Sequence, residues 1–373
     1  MKYSGIGGQS VMEGVMMRNG NDYAIAVRKP DQEIEVKVEK GKATLFSEKW
    51  NKIPIIRGIL NFIDSLVLGI STLMYSASFF EEEEEEEPEE KKGRRKEKEK
   101  KEVDPETAEK QEKALMGFVL VISLIIAVAV FMILPYYLSE LFQRAVSNQT
   151  LVAVFEGVIR LVIFIVYIVL IAQMEDIKRT FMYHGAEHKC INCVEHGLDL
   201  TVENVRISSR EHKRCGTSFL VFVVIICIIL YLFIRVDSHA LRITIRIILI
   251  PVIAGLSYEL LRAAGRYDNK FIQIISKPGM WVQQLTVSEP DDDMIEVGIA
   301  SVEAVFDWRS FVKEVRREEG IEVIGEEESD DSASGVDSVS DSEEQPAEEE
   351  TPEEIAEENP AGIDASRDEE FWL

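Results

Sequence analysis

The sequence predicts a mainly α, polytopic helical membrane protein with about four transmembrane helices, an interfacial or re-entrant helix, a small N-terminal β-hairpin, and a disordered acidic linker and tail. Three observations carry that expectation. Long apolar runs recur four times in the middle of the chain. The formal charge of -26 over 373 residues is gathered into two short stretches rather than spread. The bases that remain are concentrated in one loop between apolar runs.

Residues 1–54 open on a glycine-rich, methionine-containing segment, GIGGQSVMEGVMMR, with no apolar signal-peptide core. The alternating run 23–28, the turn Lys29-Pro30-Asp31 and the run 34–39 read as a β-hairpin. Residues 55–80 are long enough to span a bilayer, but Arg57, Asn61 and Asp64 punctuate the first half. A crossing there would also put the base-rich N-terminus outside, so the segment reads as interfacial or re-entrant. Residues 81–112 begin with seven consecutive glutamates and continue as a Lys/Arg/Glu tract, the composition of a flexible spacer.

The stretch 113–172 holds the first transmembrane hairpin. Residues 115–134 contain no charge, and 151–172 contain only Glu156 and Arg160, spaced to pair on one helix face. A second hairpin, 218–262, comprises the runs 218–234 and 241–261, the latter interrupted by Arg242, Arg246, Pro251 and Glu259. Between the hairpins lies the loop 173–217. Residues 263–324 read as an extended segment over 270–285, then an amphipathic helix from about 289 to 315. Pro290 and the acids 291–293 suit that helix's first turn. Residues 325–373, with 20 acids and one base, form the acidic tail.

Once the linker and tail are set aside, the rest of the chain carries equal numbers of acids and bases. The overall charge of -26 is too acidic for a generic nucleic-acid or anionic-lipid binder. The loop 173–217 holds Lys178, Arg179, Lys189, Arg206, Arg210, Lys213 and Arg214, whereas 135–150 holds only Arg144. The positive-inside bias places this loop and both termini in the cytoplasm, with the spans in the plasma membrane.

Any chemistry is concentrated in that loop. Four of the five histidines and three of the four cysteines fall between residues 184 and 215. His184-Gly185-Ala186-Glu187-His188 is the H-x-x-E-H pattern, in which histidines four apart share one helix face and hold zinc while the glutamate serves as general base. Catalytic zinc ordinarily takes a third protein ligand. Cys190-x-x-Cys193 and His212-x-x-Cys215 enclose eighteen residues and could instead build a closed structural site. A mixed set of His184, His188, His212 and Cys215, with Glu195, is a further arrangement. Glu259, ionisable within a span, is another candidate, with pairing to Arg262 as its bland alternative.

The blocks GGQSVMEGVMMR (7–18), AIAVRKPD (24–31), IRGILNFIDSLVLG (56–69), YHGAEHKCINCVEHGLDLTVENVR (183–206), HKRCGTSF (212–219), SYELLR (257–262) and EPDDDMIEVGIASVEAVF (289–306) carry a resemblance. In that order they are similar to the YqhQ-like domain-of-unknown-function family of bacterial membrane proteins. The resemblance implies a suspected metal and little mechanism, because the family is described as predicted metal-dependent enzymes without an established substrate. It matches His184, Glu187, His188, Glu195, His212 and Cys215 to motif positions and does not require cysteine at 190 or 193. Glu13 and Arg18 also match, as catalytic candidates that could fold onto the metal loop.

Two functions follow as expectations. One is a cytoplasm-facing zinc hydrolase, with Glu187 as base and a substrate met at the membrane surface. The other is a non-enzymatic scaffold, or a biogenesis or transport accessory, that docks protein partners through the basic loop and acidic tail and whose zinc is structural.

Overall fold

The computed structural model describes residues 2–41, 53–86, 105–234, 236, 238–267 and 270–320. The acidic tail 325–373 and the middle of the charged linker lie outside the described residues.

The N-terminal segment forms four antiparallel strands: β1 Ile6–Val11, β2 Gly14–Asn19, β3 Asp22–Arg28 and β4 Ile34–Glu39, in spatial order β1-β2-β3-β4. The expected hairpin is β3–β4, paired from Tyr23 opposite Glu39 to Arg28 opposite Ile34. The glycine-rich stretch before it supplies two further strands. Both faces of the sheet are covered, which is why β2 and β3 read as nearly continuous apolar runs rather than as clean alternations. Val15, Met17 and Ala26 face one side, while Val11, Met16, Tyr23, Ile25 and Val27 face the other.

The second face is covered by α1, Ile56–Glu86, an unbroken helix. Leu68, Tyr75, Phe79 and Phe80 pack on the sheet. The front of α1 docks on α8, His239–Arg266, where Gly58 and Gly255 let the backbones approach so closely that an added Cβ on Gly58 would lie 2.7 Å from a carbonyl oxygen. The polar residues that interrupt this segment are satisfied internally. Arg57 grips Glu259 through two bonds of 2.6 and 2.5 Å, and Asn61 donates to the Tyr258 hydroxyl at 2.7 Å. By length and composition α1 is a fifth helix able to cross a membrane, beside the four expected.

Those four are α2 (Pro105–Val128), continued by a π-helical turn Ala129–Ile133 and α3 (Leu134–Gln143); α4 (Gln149–Ile171); α7 (Gly216–Phe233); and α8. Their outward faces leave Phe118, Leu124, Ile125, Leu161 and Ile248 exposed, as a bilayer would require. The π turn has a cause. Proline at 135 brings no N–H and its ring crowds the carbonyl four residues back, that of Phe131. Widening the turn frees that carbonyl, and Arg160 Nε donates to it at 3.0 Å.

Helix also enters and leaves the acidic linker, at the end of α1 and the start of α2, so the linker is not structureless throughout. Glutamate and lysine are good helix formers, and each adjoining helix simply continues.

The loop 173–217 folds into α5 (Glu175–Glu195) and α6 (Val202–Ile207). Residues 270–285, expected to be extended, lie instead in the helix α9 (Lys270–Thr286). Pro278-Gly279 looks like a turn signal, but Gly279 sits so close to Ser218 of α7 that only a residue without Cβ fits. Packing against α7 holds the helix together. The single amphipathic helix expected from 289 to 315 is two, α10 (Asp292–Val305) and α11 (Trp308–Glu318). α5 and α10 cover the first face of the sheet, and their core includes Tyr183, Ala186, Cys190, Ile191, Cys193, Ile295 and Val302.

Candidate metal centre

Three elements deliver the site. α5 carries His184 and His188 one turn apart on one face, with ring centroids separated by 4.4 Å. Cys215 is the N-cap of α7, where its sulfur accepts from the Thr217 N–H at 3.4 Å. β1 lies across the top through Gly7 and Gly8. One nitrogen from each imidazole and the Cys215 sulfur lie within 4.8 Å of one another. His184 Nε2 is 3.3 Å from the sulfur. A tetrahedral zinc with ordinary bond lengths would set a nitrogen and a sulfur about 3.5 Å apart.

The other ring nitrogens are committed. His184 Nδ1 meets the Thr286 carbonyl at 3.1 Å, and His188 Nδ1 meets the Arg210 carbonyl at 2.6 Å. Each contact requires a proton on Nδ1 and leaves the Nε2 lone pair free, the usual second-layer support of a metal-binding histidine. Two imidazoles and one thiol form a donor set that suits zinc, with one coordination position to spare. The α9 helix missed in the sequence therefore matters here, since its last residue orients His184.

Glu187 borders the same cavity, which measures about 20 Å³, room for roughly one water. Its carboxylate lies 3.7 Å from His184 Nε2. Burial pushes Glu187 up to about 7, against the opposing pull of His184, the Gly8 N–H and Arg214. Gly8 is required at this point. An added Cβ there would lie 2.5 Å from the Met16 carbonyl oxygen and 3.0 Å from the Glu187 Cγ. The spacing of glycines in β1 permits this close approach, and glycine inside a strand was the available signal.

The remaining candidates lie elsewhere. His212 borders the cavity, with its ring 5.6 Å from that of His188, but its Nε2 accepts from Arg214 at 3.1 Å rather than joining the three ligands. Burial holds His212 neutral, lowering it to about 4 despite the nearby Glu195. Glu195 is fully buried and ion-paired with Arg214, and the Ser4 N–H and hydroxyl donate to it at 3.0 and 2.7 Å. Burial works against its charge, but His212 and Arg214 outweigh that and hold Glu195 near 2. The Glu195 network is thus a brace behind the site, and Arg214, stacked 3.9 Å over the Tyr3 ring, is a member that spacing could not reveal.

Glu13 does fold onto α5, as a two-pronged partner of Arg179 and an acceptor from Tyr183 at 3.2 Å, but it borders a different cavity. Arg18 is buried in β2 and donates to the Gly20 carbonyl at 2.8 Å. Glu259 pairs with Arg57 rather than with the expected Arg262, and is not among the converging groups. Cys190 and Cys193 are packed in the α5–α10 core, with Cys190 against Gly298, away from the three ligands.

No solved structure matches the chain. It is 34% identical over 307 residues to an uncharacterized protein, YqhQ, of Bacillus subtilis (strain 168), covering 79% of this chain and 90% of that protein. A family model described as a protein of unknown function (DUF1385) matches residues 53–308. With most of its length accounted for in this way, the chain belongs to that family of proteins of unknown function.

Proposed function

We propose that this chain is a zinc-dependent hydrolase working at the surface of the bacterial plasma membrane on the cytoplasmic side, with His184, His188 and Cys215 as its metal ligands. One observation carries the reading: three donors converge, the two imidazoles with their second nitrogens already spent on backbone carbonyls, and a carboxylate stands beside the position left open. Zinc bound there would supply Lewis-acid polarisation of a carbonyl or phosphoryl oxygen. Glu187 is the general base: burial sets its carboxyl near neutrality, where it can both accept and return a proton. Gly8 presents its N–H to that carboxylate and holds it in place, and the Glu195–Arg214 brace keeps the cavity wall rigid. Glu13 and Arg18 act as positioning residues, Glu13 by fixing the first turns of α5 through Arg179. The sheet, α5 and α10 sit together at one end of the bundle. That arrangement supports placing both termini on one side, with α1 lying along the interface and Leu66, Val67 and Leu73 turned outward to lipid.

The test is metal analysis with hydrolysis assays on the purified chain. Glu187→Gln should keep zinc near one per chain while turnover of ester, amide and phosphoester probes is lost. Loss of zinc from that variant would make Glu187 a ligand and end this assignment of the base.

The small size of the cavity favours a second reading, in which the metal only staples α5 to α7 and the chain serves as a membrane scaffold that docks protein partners through the basic loop and acidic tail. On that reading Glu187→Gln is silent in every cellular assay, and Cys215→Ala destabilises the fold.

A further inference from the structure

A second buried polar cluster lies at the far end of the bundle, and the proposed hydrolase does not use it. Glu156 of α4 is 5% exposed and takes two arginines: Arg160 at 2.8 Å from its own helix, and Arg246 of α8 at 2.7 and 2.9 Å. The pairing expected from the 156/160 spacing is present, but the third member reverses its sense. Two guanidinium groups share one carboxylate inside an apolar bundle. Arg242, one turn before Arg246, donates to the Val236 carbonyl and adds a further positive charge. Glu140, at the rim, lies 3.7 Å from His239.

These groups line a cavity of about 100 Å³ bounded by Tyr136, Glu140, Glu156, Tyr231, Arg242 and Arg246. It opens where α3 ends, α4 begins and α8 begins, at the opposite end of α7 from Cys215. Arg246 is 4% exposed, and its Nε has no hydrogen-bond partner among the described residues. A buried guanidinium donor left unpaired is destabilising, and excess positive charge within a membrane span more so. The tyrosine faces of Tyr136 and Tyr231 lie 5.1 and 4.6 Å from the Arg246 guanidinium carbon, which supports a cation but supplies no counter-charge.

We infer that this cavity binds a phosphate oxyanion, held by Arg246 and Arg242 at the membrane boundary remote from the metal centre. An oxyanion fits the fork of a guanidinium better than chloride does, and among the described residues the cluster sets Arg160, Arg242 and Arg246 against only Glu156 and Glu140. Both an anionic lipid headgroup and free phosphate carry this chemistry. Exposed Tyr137, Leu138 and Leu141 on α3 beside the opening offer an apolar track for acyl chains.

The test uses the full chain purified in a neutral detergent at matched ionic strength. The probes are phosphatidylglycerol, phosphatidylcholine, inorganic phosphate and chloride, and the readouts are native mass spectrometry and the thermal unfolding midpoint. Phosphatidylglycerol should co-purify and raise the midpoint, and Arg242→Gln and Arg246→Gln should each weaken it by about tenfold, the equivalent of one charge-assisted contact. A rise with inorganic phosphate that shows the same arginine dependence supports the oxyanion site and assigns it to the free ion. Arg242→Gln leaves the Glu156 pairs intact, so it decides the matter if Arg246→Gln fails to fold. The proposal is overturned if neither phosphate probe exceeds chloride, if phosphatidylcholine binds as well as phosphatidylglycerol, or if the variants bind as the unchanged chain does.

Discussion

Around Cys215, at the first turn of α7, the buried charges and dipoles are arranged so that lone pairs converge: backbone carbonyls of Thr286 and Arg210 absorb the imidazole protons, and Arg214 in the cavity wall is neutralised by Glu195. Around Tyr231, near the last turn of the same helix, donors converge instead. Two arginines crowd Glu156, and a third donates to a backbone carbonyl. The same helix thus bears an electron-rich pocket at one end and an electron-poor one at the other. A buried cluster shows what it is missing through the sign of its imbalance, because low dielectric makes an unneutralised group expensive.

The comparison can be broken most directly at the metal end. Cys215→Ala or His188→Ala should reduce zinc from about one per chain to near zero by elemental analysis, since two remaining ligands do not retain the ion through purification. Retention of zinc by both variants would remove the proposed ligand set. The next largest effect is expected at the other end. Glu156→Leu leaves Arg160 and Arg246 buried without their carboxylate and should destabilise the chain by about 3–5 kcal/mol in detergent unfolding. A neutral result there would mean that the arginines are hydrated or paired with something else.

Acid should act on the brace behind the metal site. Glu195 sits near 2 when folded against an ordinary 4.5, so its contribution is complete above about 4.5 and is lost as pH falls toward 2. Acid unfolding of metal-free protein, followed by circular dichroism, should therefore lose about 2–3 kcal/mol across that window, and Glu195→Gln should flatten the dependence. The smallest effect is steric. Gly8→Ala must push β1 off Met16 and Glu187, at about 1–3 kcal/mol measured by thermal unfolding. It should also weaken any hydrolysis in proportion to the displaced carboxylate.

How much of this was legible in the chain depends on the distance over which each signal acts. The spans, the β3–β4 hairpin and the Glu156–Arg160 pair are local, and apolar length, strand alternation and helical spacing revealed them. His184 and His188 were legible for the same reason, since a spacing of four places two side chains on one helix face. Spacing alone left Cys215 level with Cys190, Cys193 and His212; the family resemblance favoured Cys215 and His212 over the other two, and folding brought only Cys215 to the imidazoles. His212 matched the same short motif as Cys215, yet its ring turns to Arg214 and Glu195, and Glu195 is held there by Ser4 from a distant part of the chain. The α9 helix was illegible because its Pro278-Gly279 pair satisfies a turn as well as it satisfies close packing on Ser218.

By itself, the sequence determined that the chain forms apolar helices of crossing length, that its acidity belongs to a linker and a tail, and that an imidazole pair shares one helix face with a glutamate between them. These follow from periodicity and composition, which are properties of neighbouring residues. Only the tertiary structure decided which thiol meets the imidazoles, that Glu187 lies under the backbone of Gly8, and that Arg246 joins Glu156 from another helix. Those outcomes depend on desolvation and close approach between segments up to about two hundred residues apart, and no local spacing encodes them.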